Sequence, residues 1–275
     1  MYPGIQFDGK VVWITGASSG IGEALAVRMA ARGSVLVLSA RNESALQRVA
    51  TLCRDAGAGD VLVLPLDVSR HETMEPAAQQ VLAQFGKIDL LVNNAGVSQR
   101  SFCVDTAFDV YRQMMEINVL GQIALTQAVL PAMIARGEGH LAVTSSVAGK
   151  VGAPLRTGYC AAKHAVMGFF DSLRTEVTAD GLQVTTITPG FIQTNVSKNA
   201  LGGDGKPTGT TDADIAGGMS VDECADVIMA GFESGEPEIA VGSGPEMGLL
   251  QLKRDNPIAA FQALEKMAAQ LRQAT

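Results

Sequence analysis

Between Lys10 and Val241, short runs of aliphatic and β-branched residues alternate with longer segments whose apolar positions recur every three or four residues. The runs Val11–Thr15, Val35–Ser39, Val61–Pro65, Ile88–Val92, His140–Thr144, Gln183–Thr188 and Ile239–Val241 predict strands. Several are apolar at successive positions, as parallel strands covered on both faces must be. The intervening pattern predicts helices over 20–32, 43–56, 70–85, 106–135, 157–179 and 221–234. In the fifth of these, Ala162, Ala165, Val166, Phe169, Phe170, Leu173 and Val177 recur at spacings of three and four. Strand–helix alternation of this kind means right-handed crossovers and an α/β doubly wound sheet. Such sheets bind ligands beyond the carboxyl ends of their strands, near the point where strand order reverses.

Two segments depart from the alternation. Residues 197–220 are rich in Gly, Thr and Asp, and a loop this long inside a compact domain is more often functional than a linker. It predicts that 191–220 covers a substrate pocket, with Phe191, Val196, Ala200, Leu201, Ile215 and Met219 as a moderately apolar lining. Beyond Val241 lies a C-terminal helical extension, 246–275, with a helical pattern over 256–273. Its stripe of Ile258, Phe261, Leu264, Ala268 and Leu271 suits packing on its own domain, a subunit interface or a membrane surface. No internal repeat or second domain is evident, so 1–275 reads as a single domain.

Composition narrows the function classes. Hydrophobic residues make up 47% and charged residues 18%, enough apolar content for a large core and far from the disordered regime. The net charge of −7, without a basic run, disfavours nucleic acid and argues against docking a strongly acidic carrier protein. Cys53, Cys103, Cys160 and Cys224 form no CxxC pair and read as buried small hydrophobes in a reducing compartment. They share no ligand spacing with His71, His140 and His164, so no catalytic zinc or other metal is expected. The N-terminus lacks the regions of a signal peptide, and no apolar stretch approaches the roughly 18–20 residues that span a bilayer. A cytoplasmic protein without a membrane partner is expected.

The residues able to carry chemistry follow predicted strands. After the first comes Thr15-Gly16-Ala17-Ser18-Ser19-Gly20-Ile21-Gly22, running into a helix. Glycine permits a sharp turn and close approach of backbone to a pyrophosphate, and the helix terminus offers N–H groups and partial positive charge. By itself the motif also fits a purely structural turn. After the fourth strand sits Asn93-Asn94-Ala95-Gly96, either a turn or a wall of the same site. Tyr159 and Lys163 are four residues apart on one predicted helix face. An ammonium beside a phenol lowers a pKa that starts near 10 and suits the phenol to proton transfer. Ser146 stands thirteen residues before Tyr159, where its hydroxyl could bond the same substrate oxygen.

Taken in order, TGxxxGxG, NNAG, Asn118, Ser146 with the YxxxK of Tyr159 and Lys163, and Pro189-Gly190 with Thr194 resemble the short-chain dehydrogenase/reductase family over residues 10 to about 241. The resemblance implies a single Rossmann-type domain with a seven-stranded parallel sheet, and a nicotinamide as hydride carrier. It implies Tyr159 as general acid/base, Lys163 holding the nicotinamide ribose and lowering the Tyr159 pKa, Ser146 orienting the carbonyl, and Asn118 holding a relay water. Gly16, Gly20, Ile21 and Gly22 would line the pyrophosphate and Asp67 and Val68 the adenine. Asn93 and Ala95, with Gly96 beside them, would line the adenosine ribose, and Ile192 and Thr194, after Pro189 and Gly190, the carboxamide. The position of the family's NAD-selecting carboxylate holds Ala40, followed by Arg41, so NADP(H) is expected over NAD(H). Arg41 could instead stack on adenine or cap a solvated turn. Ser19 replaces a second basic residue of many NADP-preferring members, leaving Ser18 and Ser19 to donate weaker hydrogen bonds. The Ala-Arg pair and the C-terminal extension are similar to the branch containing 11β-hydroxysteroid dehydrogenases. The expected activity is interconversion of an alcohol and a ketone or aldehyde by a homodimer or homotetramer. A 3-oxoacyl-carrier-protein reductase and a non-catalytic dinucleotide sensor are the alternatives.

Overall fold

The computed structural model describes residues 2–273. Seven parallel strands form one sheet in the order β3-β2-β1-β4-β5-β6-β7. They are β1 (Val11–Thr15), β2 (Val35–Ser39), β3 (Asp60–Val63), β4 (Leu90–Asn93), β5 (Gly139–Thr144), β6 (Leu182–Pro189) and β7 (Glu238–Val241). Order reverses between β1 and β4, which places the switch point between the glycine-rich turn and the Asn94–Gly96 segment. Alternate side chains serve two cores. Val11 and Trp13 face one layer, whereas Val12 and Ile14 face the other.

The first layer contains α3 (Met74–Phe85), α4 (Phe108–Met115), α5 (Gly121–Arg136) and α6 (Thr157–Val177). The second contains α1 (Gly20–Ala30), α2 (Glu43–Ala56) and α8 (Val221–Ser234), the short α7 (Ala213–Ala216) lying in the preceding loop. Several ends are set by local chemistry. The Asn42 carboxamide accepts from the Ala45 N–H and Gly57, with φ of 107°, ends α2. Ser220 and Glu223 form a reciprocal capping box on α8.

A π-helical turn, Glu116–Leu120, joins α4 to α5. The continuous helical run Phe108–Arg136 is long and apolar enough to cross a membrane, and half of its most apolar window is buried in the fold. This corrects the sequence expectation, which looked for an unbroken apolar stretch and so passed over a helix interrupted by Asn118, Gln122 and Thr126.

The extension contains α9 (Pro245–Asp255) and α10 (Pro257–Gln273). In α10 only Ala260 is fully buried. Leu264, Ala268 and Leu271 are half-buried, while Ile258 and Phe261 face outward.

Candidate active site

Four strand ends deliver the site. Beyond β1, Gly16 (φ 66°) lets the turn pack on the Asn94–Gly96 segment: a Cβ there would stand 2.9 Å from the Ala95 Cα. Thr15 Oγ1 accepts from the N–H groups of Asn94 and Ala95, at 3.0 and 3.1 Å. The Asn94 carboxamide in turn donates to the Thr15 carbonyl at 3.1 Å. Gln122, at the start of α5, donates to the Ala95 carbonyl at 2.9 Å. Gly121 beside it packs on the Val68 backbone, where a Cβ would lie 2.2 Å from the carbonyl oxygen. The NNAG turn and Asp67–Val68 are thus held against one helix end.

No side chain caps α1, and the backbone N–H groups of Gly20, Ile21 and Gly22 have no protein partner among the described residues. Three N–H groups at the positive end of a helix form an anion cradle, and the residues here fit a dinucleotide pyrophosphate. Arg41 is exposed just past β2 and forms no ion pair among the described residues. Asp67 nearby accepts from the Ser69 N–H and hydroxyl. Partial burial opposes its ionisation, but these bonds and the charges of Arg41 and Arg70 hold it below the usual carboxylate range. No sequence pattern points to Arg48, whose guanidinium reaches from α2 to bridge Glu23 and the Ser18 carbonyl.

Beyond β5 and β6, Ser146, Tyr159, Lys163, Pro189, Gly190, Ile192 and Thr194 meet around a cavity of about 110 Å³. Ser146 Oγ accepts from the Ala148 N–H at 3.1 Å and donates to the Pro189 carbonyl at 3.4 Å. The adjacent Ser145 is more deeply buried and donates to the Lys163 carbonyl. Lys163 is buried, donates to the Thr144 carbonyl at 2.7 Å, and lies 5.8 Å from the centre of the Tyr159 ring.

The electrostatics differ from the sequence expectation for Tyr159. Burial raises the phenol pKa, and the Ser146 hydroxyl and Arg156 guanidinium only partly counter that. Lys163 is not among the groups that lower the phenol pKa, and burial lowers its own pKa to about 8. Its ammonium is engaged with a carbonyl and lies over the ring.

Two further predicted residues turn away from the cavity. Asn118, in the π turn, clasps the Val97 backbone: its Oδ1 accepts from the N–H and its Nδ2 donates to the carbonyl, both at 2.9 Å. Asn93 donates from Nδ2 to Thr126 Oγ1 at 3.0 Å inside the core, leaving only its backbone at the rim.

The loop over 191–220 is tied down. Leu201 pairs with Gln99, and its N–H and carbonyl bond the Ser98 carbonyl and the Arg100 N–H. Ala200 and Leu201 are consequently buried against protein, and among the predicted apolar lining only Val196 and Ile215 border the cavity. Asp212, at the foot of α7, is gripped by Arg100 (2.7 Å) and Arg156. The extension also reaches the site. Glu246, 7% exposed, accepts from the Phe191 N–H at 3.1 Å and fills the space that a side chain at Gly190 would need.

A glycine-lined helix terminus beside a cavity holding hydroxyl, phenol and ammonium, on a doubly wound sheet, defines an oxidoreductase of the dinucleotide-binding class. The short chain dehydrogenase family matches residues 10–203. The chain is 41% identical to the human protein named dehydrogenase/reductase SDR family member 7, over 96% of this chain and 79% of that one. It is 40% identical to a Drosophila melanogaster family protein 7-like relative, over 98% and 83%. Solved structures agree. A Burkholderia phymatum short chain dehydrogenase/reductase in complex with NAD superposes with a TM-score of 0.80 at 28% identity, covering 92% of this chain and 95% of that one. A Thermococcus sibiricus alcohol dehydrogenase complexed with 5-hydroxy-NADP gives 0.73 at 29% identity, covering 86% and 97%. The chain belongs to the short-chain dehydrogenase/reductase family.

Proposed function

We propose that the protein interconverts a moderately apolar alcohol and its ketone or aldehyde with NADP(H) in preference to NAD(H), using Tyr159 as the general acid/base. The observation that carries this is the meeting of Ser146, Tyr159 and Lys163 around one cavity with the 189–194 segment. The nicotinamide, when bound, supplies or accepts the hydride. The Tyr159 hydroxyl donates its proton to the carbonyl oxygen in reduction, and the Ser146 hydroxyl orients that oxygen. A phenol kept protonated by burial is a competent donor at neutral pH. Lys163 offers its remaining N–H donors to the ribose side. Asn118 serves by fixing the Val97 backbone at the cavity wall, alongside the relay-water role that the family pattern implies. The free N–H groups of Gly20, Ile21 and Gly22 would take the pyrophosphate.

Arg41 supports the NADP(H) preference, since a guanidinium exposed just past β2 suits a phosphate and no carboxylate occupies position 40 to repel one. The neighbouring structures include complexes with either cofactor type.

Tyr159→Phe should lower carbonyl reduction by about 10²–10⁴-fold while NADPH binding, followed by fluorescence titration, persists. Unchanged turnover would overturn the mechanism. Arg41→Ala should weaken NADPH binding roughly tenfold or more and leave NADH binding nearly unchanged, as expected for loss of charge-assisted bonds. Equal losses for the two would remove Arg41 as the phosphate reader.

A further inference from the structure

We propose that Asp212, Arg156 and Arg100 form an electrostatic latch that closes the 197–220 loop over the cavity and holds Tyr159 in position. The proposal rests on the reading of Tyr159 as the acid/base for its catalytic consequence, though the latch itself stands on geometry.

The three residues come from three parts of the chain. Asp212 opens the last part of the loop, immediately before α7, whose Ile215 borders the cavity. Arg156 is the N-cap residue of α6, one turn before Tyr159. Arg100 follows the Ser98–Gln99 segment beyond β4. One carboxylate, whose side chain is 9% exposed, binds both guanidinium groups, Arg100 at 2.7 Å. Arg156 spans the join, also donating to Ser98 Oγ at 2.7 Å and to the Gln99 carbonyl at 3.1 Å. Gln99 Oε1 accepts from the Gly158 N–H, the residue before Tyr159. A buried carboxylate between two guanidinium groups is costly to separate, because opening leaves charge unpaired in a poorly solvated place.

Backbone strain marks the same junction. Leu155, with φ of 64°, is the sole described non-glycine residue in the left-handed region, and its carbonyl accepts from the Ser101 N–H. Such a conformation in a branched aliphatic residue persists only where the surroundings impose it. Here it turns the chain so that Arg156 enters the latch as α6 begins.

Charge then links the loop to the phenol. Facing Tyr159 are Ser146 from beyond β5, Lys163 and Cys160 from α6, and Arg156 at the helix start. Arg156 is the group that draws the phenol toward ionisation from that end, and Asp212 tempers its charge. Removing Asp212 and removing Arg156 therefore both release the loop, but they move the phenol in opposite directions. A purely structural contact would not do this.

The test compares Asp212→Asn, Arg156→Gln and the charge-conserving Asp212→Glu in the full chain. Hydrogen exchange at the amides of 197–220, where Thr208 and Gly209 bond the Ala200 and Lys198 carbonyls, reports the loop without any turnover. Exchange should accelerate about tenfold in the first two variants, the factor for roughly 1.4 kcal/mol of lost closure, and return toward wild type in Asp212→Glu. Phenolate difference absorbance, referenced to Tyr159→Phe, should shift down in Asp212→Asn and up in Arg156→Gln, each by about half a pH unit. Unchanged exchange in both variants overturns the latch whatever Tyr159 does. Faster exchange with phenol shifts of the same sign overturns the link to acidity. Normal turnover by Tyr159→Phe would instead defeat the acid/base reading while leaving the exchange result intact.

Discussion

His140 shows how much one side chain can commit the molecule to a charge state. It lies buried in β5 with its Nε2 2.8 Å from Thr185 Oγ1, and Thr185 spends its own hydrogen on the Glu236 carbonyl. The Thr185 oxygen must therefore accept, which assigns the proton to Nε2 and leaves Nδ1 as a buried acceptor with no partner among the described residues. Protonating Nδ1 would put a charge and an unmet donor into the core. Burial lowers the His140 pKa from 6.5 to about 3. Between those values the unfolded chain binds a proton that the folded chain refuses, so stability is complete above pH 6.5 and declines below it. The loss should be about 1.4 kcal/mol per pH unit from this residue alone. Urea denaturation at pH 7, 6, 5 and 4 should show a steep decline in wild type and a shallower one in His140→Asn. Parallel slopes would refute the assignment.

Secondary elements were largely legible because their signals are local. The strands read from β-branched runs agree with the structure to within one or two residues at each end, and Asn42, Gly57 and the Ser220–Glu223 pair mark ends that a sequence alone displays. Ser146, Tyr159 and Lys163 line one cavity. What escaped was the set of contacts made between distant segments. Arg156 and Asp212 are 56 residues apart and Arg48 and Glu23 25 apart, and no periodicity announces such pairs. Ala200 and Leu201 read as pocket lining because apolar character says nothing about which surface a loop residue will cover. The α9 helix was unresolved within the extension because its one buried residue is Glu246, the reverse of an apolar stripe. That glutamate has a consequence at the scale of the element. By holding the Phe191 N–H it fixes the direction in which the chain leaves β6 toward Ile192 and Thr194. Glu246→Ala should raise the KM for the nicotinamide cofactor several-fold with a smaller effect on kcat, and Glu246→Gln, which keeps an acceptor, should largely restore it. Equal behaviour of the two variants would show that the contact does not position the segment.

At the scale of the whole molecule, the parallel sheet gathers the chemistry at one rim and leaves the helix surfaces for other uses. On the α4–α5 run, Phe108, Leu120 and Ile134 are large, apolar and exposed at 69%, 42% and 38%, beside α6, the helix that carries Tyr159. Exposed apolar residues aligned on one helix are what a subunit interface would cover. A homodimer or homotetramer built on these helices is the proposed assembly. Sedimentation velocity should give at least twice the 28.6 kDa chain mass, and Leu120→Lys with Ile134→Glu should reduce it to that of one chain. A wild-type monomer would exclude this assembly.

The π turn at Glu116–Leu120 amounts to an extra residue spliced into an otherwise continuous coil. Each α-helical residue advances the side-chain direction by about 100°, so an extra residue would throw the following face out of phase unless a wider turn absorbed it, as this one does. Gly121 against Val68, Gln122 against Ala95, and the buried run through Leu125, Val129 and Met133 all keep their direction because the wider turn takes up that residue. Losing a single codon here would restore ideal α-helical winding and leave the downstream side chains roughly where they point now, whereas the same loss elsewhere in the run would swing them by about 100°. The π turn is therefore the place on this run that absorbs a one-residue change in length, and the reading frame of the cofactor-side wall is kept by an irregularity.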